Sequence, residues 1–150
     1  MSRENLKIYK MKANKILLGG IAGAVTLFVL KWIIYGVLLM DWITANFNPC
    51  IMRPMNEYII WAMILATLAF GFLLSLIFSW SNTTGLMKGA KVAGIIGLLY
   101  SITVDLSMYG TSTRFIGLSP VFVNIIVNTV MWAIAGVVVG WVMGLGKKEA

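Results

Sequence analysis

The chain has 150 residues, 60% hydrophobic and 11% charged, with a formal net charge of +7, one cysteine and no histidine. So few charges exclude an ordinary soluble domain, where about a quarter of residues are charged. A lone cysteine excludes an intramolecular disulfide, and without histidine neither a Ser-His triad nor a His-ligated metal site can be built.

In chain order, residues 1–15 form a basic segment with Arg3, Lys7, Lys10, Lys12 and Lys15, expected in the cytoplasm and suited to anionic lipid headgroups. The apolar stretch after it is too long for a cleaved signal, and no small-x-small site follows. A transmembrane domain is expected over 16–146, with helices at Ile16–Met40, Tyr58–Trp80, Val92–Tyr109 and Val121–Leu145. Each is about long enough to cross ~30 Å of hydrocarbon, and none alternates as a barrel strand would. The first connection, Asp41–Glu57, is broken by Asn48-Pro49 and Arg53-Pro54 and holds Cys50, read as a free thiol. Gly85 and Gly110 stand where a left-handed residue would end spans two and three. Ser119-Pro120 reads as the N-cap and first helical residue of span four. Trp42 and Trp61 are expected at one membrane interface and Trp80 and Trp141 at the other, with Trp32 and Trp132 inside the bundle. Residues 147–150 form a short tail.

Lys88 and Lys91 lie between spans two and three, and Lys147 and Lys148 follow span four, whereas the other two loops hold only Arg53 and Arg114. This is the positive-inside pattern. The expected fold is therefore all-α and polytopic: a four-transmembrane-helix bundle of two sequential hairpins, both termini cytoplasmic. Topogenesis accounts for the basic excess, so the bilayer and not nucleic acid is the expected partner.

Small residues recur four apart in every span: Gly19 and Gly23; Gly71 and Ser75; Ala90 and Gly94, with Ala93 and Gly97 one step offset; Gly136, Gly140 and Gly144. This spacing lets backbones approach closely, first of all within one chain, which has four spans to pack, and as the alternative between copies or partner proteins. The run in span four, being the longest, is the best candidate for an oligomer face. An ungapped shift of 74 positions places Gly19, Gly20, Ile21 and Gly23 over Ala93, Gly94, Ile95 and Gly97. The same shift places Lys31 over Asp105 and Tyr35-Gly36 over Tyr109-Gly110. A duplication of this kind would be parallel, about an axis along the membrane normal.

Lys31 and Asp105 are charges within apolar spans, each costing roughly 2.5–3.5 kcal/mol at a bilayer centre on insertion scales. Helical rise puts both about 22 Å from the cytoplasmic start of their helices, at ~1.5 Å per residue. Asn124 and Asn128 reach that level from the other side. Tyr35 is one turn from Lys31, and Ser101 and Tyr109 each lie one turn from Asp105. Lys31, Tyr35, Ser101, Asp105, Tyr109, Asn124 and Asn128 are thus a candidate intramembrane polar cluster. Lys31 and Asp105 are expected to face each other, either as a structural ion pair or as the lining of an outward-facing cavity.

The stretches LLGGIAG, YGVLLMDW, GAKVAGIIG, DLSMYGT and AIAGVVVGWVMG resemble a family of small bacterial four-helix membrane proteins classed as a domain of unknown function. The similarity runs from about Ile16 to Gly146. It implies a bacterial inner-membrane location and four helices, and supplies no activity or site residues.

Asp41, Glu57 and Asp105 are too few and scattered for a carboxylate metal centre, and no glycine-rich phosphate loop sits in a strand–helix context. Neither an enzyme nor a cofactor is therefore expected. The leading functional expectation is a non-enzymatic scaffold or accessory subunit, assembling with itself or a membrane partner. Its rival is a small transporter or channel-like protein working through a polar cavity around Lys31 and Asp105.

Overall fold

A computed structural model describes the backbone of residues 3–145 except 52, and side chains from 13 to 145 except 52 and 55. The basic side chains of residues 3–12 and the tail 147–150 lie outside the described residues. Helix α1 (Arg3–Ile33) runs through the basic segment into the first span and continues as a π-turn, Ile34–Leu38. Then come a short helix α2 (Met40–Asn46), two 3-10 turns at Pro49–Ile51 and Met55–Glu57, and the long helices α3 (Ile60–Trp80), α4 (Leu86–Thr111) and α5 (Ser119–Gly144). Four segments are long and apolar enough to cross a membrane: Ala13–Leu38, Ile60–Trp80, Leu86–Thr111 and Ser119–Gly144. Many large apolar side chains face outward, among them Leu65, Ile95 and Ile126. Water would penalise such a surface, whereas lipid accepts it.

Backbone proximity holds the helices together. α1 packs chiefly on α3 and α4 on α5, while α1 and α5 join the two pairs. Between α1 and α3, a Cβ on Gly71 would overlap the Gly20 carbonyl oxygen and come within 2.6 Å of the Ala24 nitrogen. Between α4 and α5, a Cβ on Gly136 would overlap Ala93 and the Gly89 carbonyl, and one on Gly140 would come within 2.6 Å of the Gly85 carbonyl oxygen. The Gly85 N–H donates to the Gly140 carbonyl at 3.0 Å, a backbone bond between elements that only such close approach permits. Gly23 meets Val139 and Gly71 where α1, α3 and α5 converge, and Gly97 faces the Trp132 side chain. Gly19 abuts Ser75, whose Oγ donates to the Ile16 carbonyl at 2.8 Å. Gly94 and Gly144 have ordinary or open surroundings. Gly136 and Gly140, the best candidates for an oligomer face, are spent instead on packing within the chain, the use that four spans to pack favoured for such strings.

Several local expectations are corrected. α4 starts at Leu86 rather than Val92, because a helix continues past the apolar stretch and carries Lys88 and Lys91 on its first turns. Gly85 (φ +92°) precedes α4 instead of closing α3; the left-handed residue after α3 is Asn82 (φ +50°). Gly110 lies inside α4, Ser119 is helical, and Leu118 rather than Ser119 is the N-cap. Trp132 is buried as expected, but Trp32 is 64% exposed on the outer face of α1.

At the end of the bundle carrying α2, Ile43, Phe47, Phe115, Val121 and Ile125 form an apolar cluster. Phe47 and Phe115 make an antiparallel bridge, flanked by bonds from Asn48 N–H to the Arg114 carbonyl and from Ile116 N–H to the Asn46 carbonyl, both 2.9 Å. This bridge ties the 112–118 loop to α2 and so fixes where Arg114 stands.

Candidate functional site: an intramembrane polar pocket

The π-turn makes the site's first contact. Its wider i→i+5 bonding, seen in Leu39 N–H to the Ile34 carbonyl at 2.8 Å, rotates the chain after Ile33 relative to an α-helix. Tyr35, within that turn, reaches across to α5 and donates its hydroxyl to Asn124 Oδ1 at 2.7 Å. Asn124 Nδ2 donates to Asp105 Oδ2 at 2.8 Å. Asn128, one turn along α5, donates Nδ2 to the Tyr35 oxygen at 3.1 Å and to the Asn124 carbonyl at 3.0 Å. The donors form one directed chain, Asn128 to Tyr35 to Asn124 to Asp105. A carboxylate can only accept, so it fixes the Asn124 amide orientation, which in turn makes Tyr35 a donor there.

Asp105 is 4% exposed, held on the buried stripe Gly89, Ala93, Gly97, Ser101, Asp105 of α4. Lys31 lies on the far side of the same pocket, its Nζ 5.5 Å from the Phe70 ring centroid. Among the described residues no carboxylate comes within 4.0 Å of it. The expected Lys31–Asp105 ion pair is therefore not formed: the two share a pocket but bind different groups. Helical rise brings the two residues to one pocket and says nothing about azimuth. Lys31 points toward Phe70, which packs edge-on against Tyr100 and Trp132 with centroids 5.1 and 5.3 Å away.

The pocket, about 240 Å³ and partly open, lies between all four spanning helices. One water needs only ~10–15 Å³ by the same measure, so the pocket has room for water. Ser101 lines it and is 2% exposed, with no hydrogen-bond partner for its Oγ. Tyr109 does not join the cluster and is 42% exposed. The buried stripe of α4 ends at Asp105, and one turn beyond it, near the end of the helix, Tyr109 has left the interface. Thus Lys31, Ser101, Asp105, Asn124 and Asn128 line the pocket, Tyr35 braces it from behind, and Tyr109 stands apart.

Sequence reasoning missed Arg114. It belongs to the loop before α5, yet it lines the pocket, its guanidinium 5.7 Å from both the Phe47 and Phe115 rings. The available signal was that it is one of two basic residues on loops otherwise free of them. Phe70, Tyr100 and Val104 complete the apolar side of the wall. Among the described residues no group of His, Cys, Asp and Glu could hold a metal ion. Chemically the site offers two cations, a carboxylate already held by an amide, a free hydroxyl and aromatic faces, an assembly suited to binding. No family model, curated protein or solved structure matches the chain.

Proposed function

We propose that this chain is a non-enzymatic, multi-pass protein of a bacterial inner membrane, folded as two sequential hairpins with both termini cytoplasmic. On this reading it is a small transporter or channel-like protein that binds a polar solute or headgroup in its intramembrane pocket. Lys88 and Lys91 on the first turns of α4 support the orientation, since they lie at the opposite end from α2 and the pocket. The pocket then faces outward.

One observation carries the functional reading: Lys31, Arg114 and Asp105 converge on one cavity without pairing among the described residues. Charged groups in hydrocarbon ordinarily pair with one another, so Lys31 and Asp105, left apart around a space that the loop residue Arg114 also lines, point to a ligand that joins them. The glycine run of α5 lends the scaffold reading less, because Gly136 and Gly140 already pack against α4. Flux in proteoliposomes tests the proposal, with inorganic ions and small polar solutes as probes. Wild-type flux above that of empty vesicles, abolished by Lys31→Met, is the expected result. No wild-type flux at equal incorporation would return the protein to the scaffold class.

A further inference from the structure

Building on that reading, we infer that the ligand presents an oxyanion, a phosphate carrying about one negative charge, to Lys31 and Arg114. Two cations and one carboxylate line the pocket, so at ordinary charges the lining has an excess of one positive charge. The carboxylate is occupied, since Asp105 Oδ2 accepts from Asn124 at 2.8 Å. Each cation instead lies over aromatic rings, Lys31 over Phe70 and Arg114 over Phe47 and Phe115. A ring face holds a cation more weakly than an oxyanion does.

Ser101 is an independent pointer. Thr26, Thr103 and Thr129 each satisfy their hydroxyls by donating to the carbonyl four residues back. The Ser101 Oγ is buried on the pocket wall and makes no such bond. An ammonium, a guanidinium and an unused hydroxyl around about 240 Å³ are the donor set that a phosphate group requires. A cationic ligand would meet two repelling side chains and a carboxylate with one oxygen taken. The phosphate arrives either on a lipid headgroup, from the bilayer, or as a free solute.

The test uses the purified full chain and three probes. Inorganic phosphate and methylammonium are titrated against the thermal unfolding midpoint in detergent. Phosphatidylglycerol retention is read by native mass spectrometry from nanodiscs otherwise made of phosphatidylcholine. Stabilisation by phosphate assigns a free solute, and selective retention of phosphatidylglycerol assigns a headgroup. In either case Lys31→Met and Arg114→Gln should each weaken binding about tenfold or more. Asp105→Asn should tighten it roughly threefold or more, by removing the one repelling charge. Anion binding unchanged in Arg114→Gln, or weakened by Asp105→Asn, overturns the inference, and the second arm stands even if the Lys31 variant does not fold. Stabilisation by methylammonium that Asp105→Asn abolishes leaves the pocket reading intact and sinks the anion. If none of the three probes binds, both fall.

Discussion

Replacing Asn124 by leucine breaks the polar chain at its centre. The substitution removes the acceptor for Tyr35 at 2.7 Å and the donor to Asp105 at 2.8 Å. Neutral side-chain bonds between membrane helices are worth ~0.6 kcal/mol on average and ~1.7 at most, and a bond to a charged group ~1.5–3 kcal/mol. Added together they give a loss of ~2–4 kcal/mol, and the leucine regains nothing by burial, because lipid is as apolar as the bundle interior. Asn124→Leu should therefore destabilise the fold by ~2–4 kcal/mol, most of it from stranding the Asp105 carboxylate. Asn124→Asp keeps the shape but sets two carboxylates facing each other, and should be at least as costly. Adding Asp105→Leu to Asn124→Leu removes the stranded group and should restore at least half of the loss. Reversible unfolding in mixed micelles measures all three. A cost for Asn124→Leu below ~0.5 kcal/mol, within ordinary scatter for neutral sites, would refute the chain as a stabilising element. So would a double mutant that loses the full sum of the two singles.

The glycine seams give a graded steric series. Gly136→Leu must push α4 from α5 and should cost ~3 kcal/mol or more, whereas Gly94→Ala, with only Ala133 at 3.6 Å, should be neutral or slightly stabilising in the same unfolding assay. Crosslinking should find Gly140→Leu unfolding the chain rather than separating copies of it; a folded mutant with lost self-association would restore the oligomer face. Tyr35→Phe and Asn128→Leu should couple by ~0.6 kcal/mol in a double-mutant cycle, and strict additivity would show that their 3.1 Å bond contributes nothing.

The apolar runs made the four spanning segments legible, because a bilayer demands ~20 apolar residues per helix whatever their neighbours. Their ends were less so: Lys88 and Lys91 stop the apolar stretch, but a helix can project beyond hydrocarbon. That Lys31, Asp105, Asn124 and Asn128 meet at one level of the bundle followed from rise alone. Which way each residue points around its helix did not follow, and that is why Lys31 meets Phe70 and not Asp105. The π-turn at Ile34–Leu38 leaves no trace in hydrophobic periodicity, although it is what separates Tyr35, bonded into the cluster, from its repeat counterpart Tyr109, exposed on a regular helix. Arg114 enters the site only because the Phe47–Phe115 bridge folds its loop back, a tertiary event that no local pattern announces.

The central claim is that the space between Lys31, Asp105 and Arg114 is a wet, ligand-accessible pocket within a membrane-embedded bundle. Val104 lines that pocket without belonging to the polar chain, and Ile95 faces outward from the same helix. Single cysteines at these positions in a Cys50→Ser background, reacted in proteoliposomes with a membrane-impermeant, water-soluble thiol reagent, separate the alternatives, because modification requires the thiolate and hence water. The account predicts that Val104→Cys is modified while Ile95→Cys and the fully buried Leu74→Cys are not. Val104→Cys reacting no faster than those two would contradict it.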